Sequence, residues 1–94
     1  VGVVLEPPLG RLTYAAAGTG CWVTVNGGEP ARCGVTDTAD VRSSVLVQSH
    51  TKPGAKPKPV VTAVGPGRVV ETYSAGVKLA LVARGEVDLY VNDY

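Results

Sequence analysis

The sequence predicts a mixed α+β fold, a β-meander followed by a strand-helix-strand unit. Short apolar or alternating runs at residues 1–5, 11–17 and 21–25 are separated by Pro- and Gly-rich breaks at 6–10 and 18–20, the pattern of antiparallel hairpins. Residues 68–91 then read as strand, helix and strand, which favours a parallel or mixed sheet because parallel neighbours need a crossover. The 94 residues are 45% hydrophobic, enough for one modest core or a piece of a larger one.

Taken in order, the first three runs form the meander, and Asn26-Gly27-Gly28 ends it with a strong turn signal. Residues 26–43 have no apolar periodicity and read as mostly loop. Residues 44–48 are a β-branched strand candidate. Residues 51–59 then bring Lys52, Lys56 and Lys58 together with Pro53, Pro57 and Pro59, a mobile surface loop by composition. Its lysines either steer an anionic substrate or are simply solvated.

Residues 60–64 fit a strand or a clipped helix, stopped by Gly65-Pro66-Gly67 because both residue types break regular structure. A strand follows at 68–73. Ser74 is a good N-cap for a helix over 75–84, with Arg84 favourable in its last turn and Gly85 at the C′ position. A strand at 86–91 completes the unit. Residues 1–43 are thus read as meander and loop, and residues 44–94 as an α/β portion.

Composition excludes several classes. A net charge of +1 gives no global field to recruit a nucleic acid polymer or an anionic membrane. No run of about 18 apolar residues and no signal-like n-region occurs, so the parent is expected to be cytoplasmic. The lack of Met and the abrupt strand-like start are read as those of a piece of a longer protein. Cys21 and Cys33 could pair in a secreted protein, but without a dense disulfide framework they are expected to be reduced; no spacing resembles a zinc site.

Lys78 is the outstanding residue. It is flanked by Val77, Leu79, Ala80, Leu81 and Val82, so its ammonium must snorkel to water or meet an anion near a helix start that itself favours negative charge.

Ser74, Ala75, Gly76 and Lys78, followed by Leu81, Val82, Ala83, Gly85, Asp88 and Tyr90, resemble the substrate-binding half of the inositol monophosphatase and 3'(2'),5'-bisphosphate nucleotidase superfamily. Two further blocks follow that family's pattern in the same order. One is Gly2-Val3-Val4-Leu5-Glu6-Pro7 with Leu12, Tyr14, Ala15, Ala16, Gly18, Gly20 and Trp22; the other is Ser49-His50. Three blocks in order are far more specific than any one motif. The resemblance implies the layered α/β sugar-phosphatase fold, with residues 1–43 in its central sheet region and residues 44–94 as its substrate-binding α/β portion.

It also implies hydrolysis of a phosphate monoester with Mg²⁺ held by carboxylates, which neutralise phosphate and activate water. The family's upstream Glu-Glu pair and Asp-Pro-Ile-Asp-Gly-Thr segment and its downstream Trp-Asp are absent from residues 1–94. The chain alone is therefore expected to be inactive, with no catalytic residue and no metal ligand of its own, the Mg²⁺ sites lying elsewhere in the complete enzyme.

The implied substrate-binding residues are His50, Ala75, Gly76, Lys78 and Asn92. His50 would pack on or hydrogen-bond a base, or be an ordinary loop histidine. Lys78 would contact the non-scissile phosphate, or snorkel. Ala75 and Gly76 would let a ligand approach the helix amides, or serve close helix-strand packing. Asn92 stands where family members reach substrate with Glu or Arg. Asp88 is read as a solvated or hydrogen-bonded strand residue. The Gly-rich segments at 18–20 and 65–67 lack phosphate-loop spacing and read as turns.

The expected partner is a phosphorylated small molecule or nucleotide, and a homodimer of the parent stays open. The resemblance tilts toward 3'(2'),5'-bisphosphate nucleotidase; inositol monophosphatase and a non-catalytic binding domain of the same fold are the alternatives.

Overall fold

In the computed structural model, residues 1–92 are described. The N-terminal part is a four-stranded antiparallel sheet, β1 (Gly2–Glu6), β2 (Arg11–Ala16), β3 (Gly20–Val25) and β4 (Ala31–Cys33), in sequential order. The β1-β2 connection is a single 3-10 turn, Pro7–Leu9, with Pro at its start and Gly10 left-handed at its end. Glu6 faces Arg11 across this hairpin.

Residues 26–43 are mostly loop, as read from the sequence, with one short strand, β4, that the reading did not separate. The turn at Asn26, in the left-handed region (φ 51°), and Gly27 (φ 71°) reverses the chain, and Ala31, Arg32 and Cys33 pair with Val23, Trp22 and Cys21. A three-residue strand lacks the length for a visible alternation, which is why the sequence concealed it. A 3-10 turn at Val41–Ser43, capped by the Asp40 side chain on the Arg42 amide, lies in the same stretch.

The second sheet is parallel, in the order β6 (Arg68–Glu71), β5 (Val45–Gln48), β7 (Leu89–Tyr90). Leu46 and Val47 on the central strand are 0% exposed, as suits a parallel strand paired on both sides. Helix α1 (Pro59–Val64) connects β5 to β6. The open choice at 60–64 resolves as helix, since Pro59 occupies its first turn and Gly65 (φ 67°) closes it.

Helix α2 (Ala75–Ala83) crosses from β6 to β7. Ser74 caps it by accepting from the Val77 amide at 3.3 Å. It ends one residue sooner than the sequence suggests, with Arg84 as C-cap and Gly85 at φ 76°. The flanking strands are also shorter than expected: β6 stops at Glu71 because Thr72 and Tyr73 turn toward the Ser74 cap, and β7 covers only two residues because 86–88 complete the helix exit.

Asp88 pins that exit. Its carboxylate accepts from the Val45 amide at 2.7 Å and from the Thr36 hydroxyl, as the hydrogen-bonded reading anticipated. Helix α2 lies against both β1 and β7 and so joins the two sheets. Among the described residues, no helix is long and apolar enough to cross a membrane.

Candidate functional site

Parallel strands aim their carboxyl ends at one edge of the sheet, and in open α/β sheets ligands bind along that edge. Here the edge gathers Gln48 at the end of β5 with Ser49 and His50 after it, Tyr73 after β6, the start of α2, and Tyr90 with Asn92 at and beyond the end of β7. Residues far apart in sequence, from two of the three motif blocks, are thereby brought together.

Lys78 does not snorkel. It is 3% exposed, its Nζ donates to Ser49 Oγ at 2.6 Å, and it sits 5.3 Å from the centre of the Tyr90 ring. Among the described residues no carboxylate pairs with it. A buried ammonium served by one hydroxyl and a ring face is under-compensated, and an anion at this edge would supply the missing charge.

His50 is exposed and stacks on Tyr73, with ring centroids 4.1 Å apart and planes inclined by 22°. The pair forms a flat aromatic surface next in sequence to Ser49, the residue that holds Lys78. Tyr73 is the residue that sequence reasoning missed; its position just before the Ser74 cap was the only available signal.

Beside His50 lies an open cleft of about 590 Å³ lined by Gln48, Thr51, Lys56, Val61 and Glu71 among others, within the size range of small-molecule sites. The Thr51 hydroxyl and the Gln48 amide donate to Glu71 at 2.8 and 3.2 Å. These bonds, Thr51 foremost, hold the Glu71 carboxyl below its ordinary value. Of the lysines in the 51–59 loop, Lys56 borders this cleft.

Ala75 and Gly76 form the first turn of α2, where backbone amides lack intrahelical acceptors. Ala75 is exposed and Gly76 half-buried. A Cβ on Gly76 would lie 3.6 Å from Ser74 Oγ and 3.9 Å from Val4, ordinary contact, so packing does not require glycine there. Asn92 is exposed and its amide reaches the Tyr90 hydroxyl at 3.5 Å, a long contact at the rim.

No three His, Cys, Asp or Glu side chains among the described residues come together to hold a metal. The donors present do not fit a metal cradle, and this edge offers charge and stacking surface instead.

A curated histidinol-phosphatase of Mycobacterium tuberculosis is 34% identical over 92 residues, which is 95% of this chain and 35% of that protein. The chain thus spans about a third of the length of the curated relative it matches. The profile of the inositol monophosphatase family matches residues 1–94 throughout, and the chain belongs to that family.

Proposed function

We propose that this chain is the substrate-binding portion of a Mg²⁺-dependent phosphatase that hydrolyses a phosphate monoester, with a 3'(2'),5'-bisphosphate nucleotide as substrate. The observation that carries this reading is the buried Lys78, held at 2.6 Å by Ser49 and paired with no carboxylate among the described residues, one residue from the His50-Tyr73 stack. A phosphate that is not cleaved would take the Lys78 charge, and a purine would lie on the stacked rings, since ring faces accept flat heterocycles. Ala75 and Gly76 would offer backbone amides to the same anion, and Asn92 would border it.

In the complete protein the carboxylates that hold Mg²⁺ would come from outside residues 1–94, and the ions would activate water and stabilise the leaving oxygen. Within this chain Ser49 orients Lys78, Lys78 binds, and His50 with Tyr73 selects the substrate.

A second reading draws on Glu71. A carboxylate kept ionised at the cleft wall by Thr51 and Gln48 suits a cationic substrate such as the amine of histidinol phosphate, the compound named for the mycobacterial relative. An inositol phosphate, with neither a flat heterocycle nor an amine, would use neither the stack nor Glu71.

The discriminating experiment is phosphate release by the intact protein in Mg²⁺ from 3'-phosphoadenosine 5'-phosphate, histidinol phosphate and inositol 1-phosphate. Preference for the first, lost in Lys78→Ala, supports the nucleotidase. Preference for the second, lost in Glu71→Gln, supports the alternative. Release from none of the three would leave a binding domain.

A further inference from the structure

Strand β4 brings Cys33 directly opposite Cys21 on β3, with the two sulfurs 3.0 Å apart and both thiols free. Directly facing residues on antiparallel strands have Cα separations of about 4.5 or 5.5 Å, both inside the span that a disulfide bridges, about 4.4–6.8 Å. Closing the remaining gap needs about 1 Å of sulfur movement, within the reach of side-chain rotation. Neither cysteine belongs to the substrate edge.

We propose that Cys21 and Cys33 form a reversible disulfide that locks the short edge strand β4 onto the sheet. Access comes from the α2 side, where Cys21 lines a cleft of about 350 Å³ with Leu79, Ala80 and Ala83. The oxidant is a low-molecular-weight disulfide such as glutathione disulfide. The Cys21 thiolate attacks one of its sulfurs, the S–S bond breaks, and one glutathione leaves. Cys33 gives up its proton and attacks the Cys21 sulfur of the mixed disulfide, expelling the second glutathione. Two protein thiols are oxidised, one glutathione disulfide is reduced, and the protons leave on the two glutathione thiols.

The order of attack follows from the surroundings of the two cysteines. Burial and the neighbouring Cys21 push its pKa up to about 11, against a smaller lowering by Arg84. Cys21 lines the open cleft and takes the first attack, and Cys33, facing it across the strands, follows as the resolving thiol.

The lock has a target beyond the strand. Cys33 leads into the 34–40 segment, whose Thr36 hydrogen-bonds Asp88 at the α2 exit and whose Gly34 carbonyl lies against Gly85. Anchoring β4 fixes one end of that segment.

Tryptic mapping provides the test, because cleavage at Arg11, Arg32 and Arg42 places the two cysteines on separate peptides, 12–32 and 33–42. The intact protein would be equilibrated with glutathione disulfide, alkylated, digested without reductant and weighed. The expected product is the 12–32/33–42 pair linked by one disulfide, about 2 Da lighter than the sum of its thiol forms and released by dithiothreitol. The linked pair should be absent in Cys33→Ser. Amide exchange in 34–40 should slow on oxidation. Recovery of both peptides singly alkylated, or of either as a stable glutathione adduct without the link, would overturn the proposal.

Discussion

Arg84 Nη1 lies 3.0 Å from Glu6 Oε2, so the last residue of strand β1 is bonded to the C-cap of helix α2 across 78 positions of sequence. Arg11 makes two further bonds to the same carboxylate at 3.0 and 2.9 Å, and Thr13 accepts from Arg84 at 2.8 Å. The antiparallel sheet and helix α2 are thus tied by a charged knot; its central side chains, Glu6 and Arg84, are 6% and 5% exposed.

This knot should make stability acid-sensitive. The hydrogen bond from Arg11, with Arg84 beside it, holds the Glu6 carboxyl below its ordinary 4.5 despite burial. A lowered folded-state pKa means that the contribution is complete above the unfolded value and is lost as pH falls through the folded one. Urea midpoints measured from about pH 6 down to about pH 3 should fall more steeply in the wild type than in Glu6→Gln. At neutral pH Glu6→Gln should cost about 3 kcal/mol, because it leaves Arg84 buried with a weakened partner.

Lys78→Met should separate binding from folding. Removing an under-compensated buried charge while keeping its volume should leave the melting temperature unchanged or raise it. Removing a charge-assisted hydrogen bond to substrate phosphate should raise KM about tenfold or more, from about 1.5 kcal/mol or more per bond. A large loss of stability with unaltered KM would assign Lys78 to the core alone.

Replacing Tyr73 by Ala should discriminate among substrates. Loss of one stacked ring costs about 0.5–1.5 kcal/mol, so KM for a nucleotide substrate should rise about twofold to tenfold while that for inositol 1-phosphate stays level. Equal effects on both would remove the aromatic surface from substrate selection.

Gly85→Ala should be among the most damaging small substitutions. Its φ is 76°, and an added Cβ would stand 2.6 Å from the Gly34 carbonyl oxygen, a backbone atom that cannot move aside cheaply. Left-handed strain and this clash together predict a loss of about 3 kcal/mol, seen as a lower urea midpoint.

Much of the architecture was legible from local chemistry. The meander showed in the alternation and turn glycines of residues 1–25, and helix α2 in Ser74, the apolar run and Gly85, because caps and periodicity act over a few residues. Strand β4 was not legible, since Ala31, Arg32 and Cys33 become a strand only by pairing with β3. The candidate site was half visible. Lys78 and His50 stood out by type and context, but Ser49 as the lysine's acceptor and Tyr73 as the histidine's partner exist only once β5, β6 and α2 are assembled. Glu71 looked like one more strand residue until Thr51 and Gln48 closed on it.

The central position of β5 carries a consequence for the order in which the chain folds. Val45 waits for Arg68 and Leu46 for Leu89, so its hydrogen bonds form only after two long crossovers have closed, whereas each strand of the meander meets its neighbour within a short hairpin. Non-local pairing is slow because loop closure precedes its reward. The antiparallel sheet is therefore expected to gain amide protection first in pulse-labelled exchange. The edge that holds Lys78 and His50 would be the last part of the molecule to take shape, and the part most open to rescue by a ligand that arrives while it forms.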